Sequence, residues 1–114
     1  MTRTAKEILS IKNPETNKEI QLNYLVLKRA VLTLRAINHP LRKEILELLD
    51  EKDKMTVTEI HNKLRLEQSV ASQHLAILRK AGVLITMRDG KFIYYKLNHA
   101  RIQEISSLVE QLAQ

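Results

Sequence analysis

The apolar positions of the chain change period along its length, and each period predicts an element. Leu27, Ala30, Val31, Leu34 and Ile37 recur at helical spacing, and Leu22, Leu25, Val26 and Leu32 widen that stripe. A helix apolar over so much of its circumference needs two partners, its own core and a second subunit. Pro14 marks the end of an N-terminal arm, and Thr16-x-x-Glu19 reads as a capping box. The pattern therefore predicts an arm over residues 1–15, a helix from about Thr16 to Ile37, and a folded domain over 16–114.

Pro40 suits the first turn of a second helix, where its missing N–H costs nothing. Leu41, Ile45, Leu48 and Leu49 form its apolar face, and Arg42, Lys43, Glu44 and Glu47 its wet face. Residues 50–54 read as a charged connector. Thr56-x-x-Glu59 is a second capping box, opening a short helix with Val57, Ile60 and Leu64 inward. Leu66 and Glu67 form a brief turn. A further helix is expected over residues 68–81, with Ala71, Leu75 and Leu78 inward and Gly82 as its stop. The period then falls to two. Runs over 84–88 and 91–97 flank Asp89-Gly90, a hairpin pattern, with Ile93, Tyr95 and Leu97 on one face. Asn98 is placed to cap a last helix whose stripe is Ile102, Ile105, Leu108, Val109 and Leu112. The fold class is mainly α with a small β-hairpin, in the order helix, helix, helix, helix, hairpin, helix.

Composition narrows the function classes. The 114 residues fit one domain, and 44% hydrophobic content is enough for a core. No run approaches the roughly 18 consecutive apolar residues of a membrane span, and the start lacks an apolar run of signal-peptide length, so a soluble cytoplasmic setting is expected. The chain has no cysteine, which removes disulfides, thiol nucleophiles and thiolate metal sites. Its net charge of +6 raises the expectation of an anionic partner. That charge is uneven: residues 60–97 hold seven basic and two acidic side chains, and residues 40–59 hold four and six.

The short helix, turn and following helix suggest a helix-turn-helix, whose second helix enters the major groove. Gln68, Ser69, Ser72 and Gln73 occupy the outward positions at its start. These side chains both donate and accept hydrogen bonds, as base edges require. The hairpin tip reads Arg88-Asp89-Gly90-Lys91. With Lys96, this basic turn is placed to act as a wing on phosphates or the minor groove. Thr56, Asn62 and Lys63 are candidates for nearby backbone contacts. On a helix face such polar residues are usually solvated surface; their coincidence with a basic hairpin and a local charge excess favours DNA.

Three blocks resemble the ArsR family of bacterial winged-helix repressors. They are Asn38-His39-Pro40-Leu41-Arg42-Lys43-Glu44-Ile45-Leu46-Glu47-Leu48-Leu49, the run from Leu66 to Leu84 containing Ser72-Gln73-His74-Leu75 and Ala81-Gly82, and Arg88-Asp89-Gly90-Lys91-Phe92-Ile93-Tyr94-Tyr95-Lys96-Leu97. The resemblance implies a dimeric winged helix-turn-helix, a homodimer built on the first and last helices. Leu22, Leu25, Val26, Leu32, Ile105, Leu108, Val109 and Leu112 would face the partner. It also implies binding to double-stranded operator DNA with an imperfect inverted repeat, and repression relieved by an inducer.

The chain departs from the family at its sensing sites. Where many members carry Cys-x-Cys, this sequence reads Met55-Thr56-Val57-Thr58-Glu59-Ile60. At the zinc positions of the last helix it reads His99, Arg101 and Leu112, and arginine and leucine do not ligate zinc. No metal and no cofactor is therefore expected, and the inducer is unknown. His74 matches a position that supports the recognition helix, His39 reads as a capping or packing residue, and His61 as surface. No Gly-rich phosphate loop or nucleophile motif is present, so an enzyme is not expected. The competing reading is a winged-helix module that binds protein without specific DNA binding; a peripheral membrane binder is disfavoured because no Trp or Phe face is available.

Overall fold

Residues 40–114 follow the sequence pattern closely. The computed structural model describes residues 7–114, which divide into two compact units at Arg35/Ala36. The first six residues of the expected arm lie outside the described residues.

The second unit begins with the end of helix α1 (Tyr24–Ile37) and continues through α2 (Pro40–Lys52), strand β3 (Lys54–Met55), α3 (Val57–Leu64), α4 (Gln68–Lys80), β4 (Leu84–Asp89), β5 (Phe92–Leu97) and α5 (His99–Ala113). Three of the helix starts are fixed by the expected capping chemistry. His39 caps α2 through Nδ1, which accepts from the Leu41 amide at 3.1 Å, with Pro40 in the first turn. Thr56 and Glu59 form the reciprocal capping box of α3. Asn98 caps α5 through its Oδ1, while its Nδ2 donates to the Gly82 carbonyl at 3.0 Å. Ile45, Leu48, Leu49, Met55, Ile60, Leu75, Leu78, Val83 and Leu84 form one buried cluster, flanked by Tyr95, Leu97, Ile102 and Ile105 among others. Gly82 ends α4 with φ +83, and a Cβ there would lie 3.3 Å from Arg101 Nε. The arginine takes that room and donates from Nε to the Ala81 carbonyl.

Residues 50–54 are more ordered than a charged connector. Helix α2 runs to Lys52, Asp53 takes φ 73, and β3 adds a third strand in the order β3-β5-β4, all antiparallel. A two-residue strand has too little pattern to betray itself in sequence. The hairpin turn also moves by one residue. Asp89 pairs with Phe92, so the loop is Gly90-Lys91 rather than Asp89-Gly90. Only Gly90 has positive φ there, the backbone of a type II′ turn.

The first unit corrects the sequence reading. No helix follows Thr16. Strands β1 (Ile8–Lys12) and β2 (Glu19–Asn23) pair as an antiparallel hairpin, and α1 starts only at Tyr24. The Thr16 hydroxyl accepts from the Lys18 amide inside the hairpin loop, and Asn13 Oδ1 accepts from Glu15. Asn23, not Thr16, caps α1: its Oδ1 accepts from the Leu25 amide at 2.9 Å and from Val26 at 3.4 Å. Leu22 therefore belongs to β2 and not to the helix stripe. The alternation Glu19-Ile20-Gln21-Leu22 has the period of a strand, and its partner Leu9-Ser10-Ile11-Lys12 shares it.

Candidate nucleic-acid interface

Helices α3 and α4 are joined by Arg65, Leu66 and Glu67. Arg65 is left-handed at φ 56, ψ 46, and the Leu66 amide donates to the His61 carbonyl at 2.9 Å. The His61 ring also closes this turn. Its Nδ1 lies 3.2 Å from the Leu66 carbonyl, which can only accept, so Nδ1 carries the hydrogen. His61 is thus half-buried and bonded rather than simply on the surface.

Ala71, Leu75 and Leu78 anchor α4 in the core. That placement turns Gln68, Ser69, Ser72 and Gln73 outward, and all four are exposed. The N-cap residue Glu67 makes no side-chain cap bond, so no side chain covers the first amides of α4. They add partial positive charge at this end, which the exposed Glu67 carboxylate offsets.

His74 holds α4 from beneath. Arg42 Nη1 lies 3.1 Å from His74 Nδ1, and a guanidinium can only donate, so this nitrogen accepts. Arg42 Nε also donates to the Ala36 carbonyl at 2.6 Å, and the His39 ring is tilted against His74 at 5.0 Å between centroids. Burial, then the Arg42 and His39 charges, hold the His74 imidazole below its ordinary pKa.

The wing set divides in two. Arg88, Asp89, Gly90 and Lys91 lie together at the hairpin tip, all exposed. Arg88 Nε donates to the Gly90 carbonyl at 3.3 Å, and Lys91 Nζ lies 5.5 Å from the Phe92 ring centroid. Lys96 is not at the tip. It lies five residues along β5 from Lys91, about 17 Å at strand rise, opposite Lys54 and 4.0 Å from the Asp53 carboxylate. Thr56 is half-buried and its hydroxyl is engaged with Glu59, whereas Asn62 and Lys63 are exposed. An open groove of about 560 Å³ runs between the start of α3 and the wing, lined by Thr56, Val57 and Thr58 on one side and Phe92 to Tyr95 on the other. Sequence reasoning missed this groove, which long-range pairing creates, and also the exposed Arg65 beside the start of α4. A cation in the inter-helix turn was the signal that could have identified Arg65.

The remaining candidate residues are apolar. Leu25, Val26 and Leu32 on α1, and Leu108, Val109 and Leu112 on α5, are all more than 40% exposed. Ile105 instead packs on the core. At the family's zinc positions His99 is exposed, and Arg101 is bonded to Glu104 at 2.8 Å. Among the described residues no group of three His, Cys, Asp or Glu side chains could hold a metal ion, and no helix is long and apolar enough to cross a membrane.

This geometry agrees with what the chain is similar to. The model of the bacterial regulatory protein family arsR matches residues 39–86. An uncharacterised HTH-type transcriptional regulator of Methanocaldococcus jannaschii is 35% identical over 85 residues, covering 75% of this chain and 96% of that one. The transcriptional repressor PagR of Bacillus anthracis is 33% identical over 92 residues, covering 81% and 92%. Its crystal structure matches with a TM-score of 0.59 over 79% of this chain and 99% of that one, at 32% identity. The homodimeric winged helix-turn-helix DNA-binding domain of Mb0332 from Mycobacterium bovis shares the fold, with a TM-score of 0.63 at 24% identity over 78% and 82%. On the sequence match and the winged-helix architecture together, the chain belongs to the arsR family of bacterial regulatory proteins and is a transcriptional regulator, not an enzyme.

Proposed function

We propose that the chain is a homodimeric cytoplasmic repressor that binds double-stranded operator DNA carrying an imperfect inverted repeat. The observation that carries this reading is the row Gln68, Ser69, Ser72 and Gln73, exposed on a helix whose other face is locked into the core. Its first half is free to enter a major groove, where these amides and hydroxyls meet base edges. Arg88 and Lys91 at the wing tip, with Lys63 near the turn, supply charge for phosphates. The open faces of α1 and α5 support a second copy as partner. In this reading Lys96 braces the base of the sheet and is not a tip anchor.

The inducer is of a kind that needs neither thiolates nor the zinc positions of α5. It must bind the DNA-free state more tightly than the DNA-bound state, since equal affinity shifts nothing. The test is an electrophoretic mobility shift with DNA upstream of the chain's own coding sequence, in excess non-specific competitor. A discrete shift that Gln73→Ala weakens supports the proposal. A chain that binds no duplex above competitor level is a protein-binding module instead. A reporter under the shifted DNA then fixes the sign of regulation, with repression expected.

A further inference from the structure

The hairpin before α1 has an apolar face that the DNA-binding reading does not use. Its register sets Leu9 opposite Leu22 and Ile11 opposite Ile20 on one face. Ile8 opposite Asn23, Ser10 opposite Gln21 and Lys12 opposite Glu19 occupy the other. The four apolar side chains are 39%, 42%, 51% and 56% exposed, in the order Leu9, Leu22, Ile11, Ile20. A lone two-stranded hairpin is marginal in water and needs a further layer over its apolar face.

Three observations point to what that layer is. The hairpin is hydrogen-bonded directly to the start of α1: Tyr24 donates its amide to the Glu7 carbonyl at 2.7 Å, and the last residue of β2 is the cap of the helix. The hairpin thus travels with the open face of α1, where Leu25, Val26, Leu27, Val31 and Leu32 are exposed. Its charge also offers no attraction for an anionic surface. Residues 7–23 hold Lys12 and Lys18 against Glu7, Glu15 and Glu19, so neither phosphate nor an acidic membrane is attracted. Finally, the helices alone would make a small interface. They hold 14 and 15 residues, and a helix turns about half its circumference to a partner. Together they present roughly 15 residues, short of the ~20–30 per side of a stable interface.

We propose that the β1–β2 hairpin is a dimerisation arm, and that Leu9, Ile11, Ile20 and Leu22 pack on a second copy of this chain. The inference rests on the homodimer reading above and extends it to a segment outside the helix-turn-helix. The absence of cysteine makes it directly testable, because one introduced thiol reports alone. Ile20→Cys samples the apolar face and Gln21→Cys the polar face of the same strand. Maleimide labelling rates are measured below and above the dimer dissociation constant, itself found by sedimentation. Ile20→Cys is expected to label at least tenfold more slowly in the dimer, with Gln21→Cys unchanged. Equal Ile20→Cys rates in monomer and dimer overturn the arm and leave the dimer intact. Slow labelling at every concentration overturns it too, since the cover then lies within one chain. A chain that stays monomeric throughout removes the homodimer reading itself. As a second readout, Ile11→Glu should weaken dimerisation at least tenfold with helical circular dichroism unchanged; an unchanged dimer constant contradicts the arm.

Discussion

Gln73 and His74 are neighbours in α4 with opposite duties. Gln73 is exposed on the face proposed to read bases, while His74 turns inward to Arg42. Gln73→Ala should cost about 1–3 kcal/mol on the preferred sequence and almost nothing on random DNA, as fluorescence anisotropy on the two duplexes would read. Equal loss on both would remove Gln73 from base reading. His74 carries a pH dependence whose sign follows from its lowered pKa. The folded chain binds fewer protons at His74 than the unfolded chain, so its contribution is complete above the ordinary value of 6.5 and is lost as pH falls through the folded value. His74→Asn keeps an acceptor for Arg42 and cannot titrate. Urea unfolding of the wild type should therefore lose more stability between about pH 7 and 5 than the variant does. Parallel pH profiles would contradict this role. The capping role of His39 was legible because its partner lies two residues away. The Arg42–His74 bond spans 32 residues, and no local pattern encodes it.

At the scale of elements, the start of α4 and the wing tip are proposed to contribute separately. Arg88→Ala with Lys91→Ala should weaken binding to every duplex and reduce the slope of log affinity against log salt by roughly two, one for each released phosphate contact. An unchanged slope would take the wing tip off the DNA. Glu67 places a carboxylate at the end of α4 that would face phosphate. Glu67→Gln should tighten binding on all sequences, most strongly at low salt, and weaker binding would show that Glu67 is oriented toward a base instead. The elements from α2 to α5, β3 apart, were readable because capping pairs and core spacing agreed. The N-terminal hairpin was not, since Leu22 and Leu25 also fit a helical stripe and a capping motif at Thr16 reinforced the wrong period. What decides the matter is Leu9 and Ile11, whose pairing with Leu22 and Ile20 lies across a loop. The wing groove was hidden for the same reason: α3 and β5 meet only in three dimensions.

The whole molecule pairs a well-packed unit over 36–114 with elements that present apolar faces outward. Leu75 is fully buried beneath the reading face, so Leu75→Ala should destabilise by about 2–5 kcal/mol in denaturant unfolding. A loss below 1 kcal/mol would mean that α4 is not held as described. The charge distribution also resolves at this scale. The excess over residues 60–97 divides between the turn, the end of α4, the wing tip and Lys96, and Lys96 is drawn toward Asp53. Two copies of the chain are proposed to present two α4 helices to one duplex. Selection of bound sequences from a random duplex library, followed by sequencing, tests it most directly. The account predicts an enriched inverted repeat with half-site centres about 10–10.5 base pairs apart, one DNA turn. An enriched single half-site without a repeat, or no enrichment at all, would contradict it.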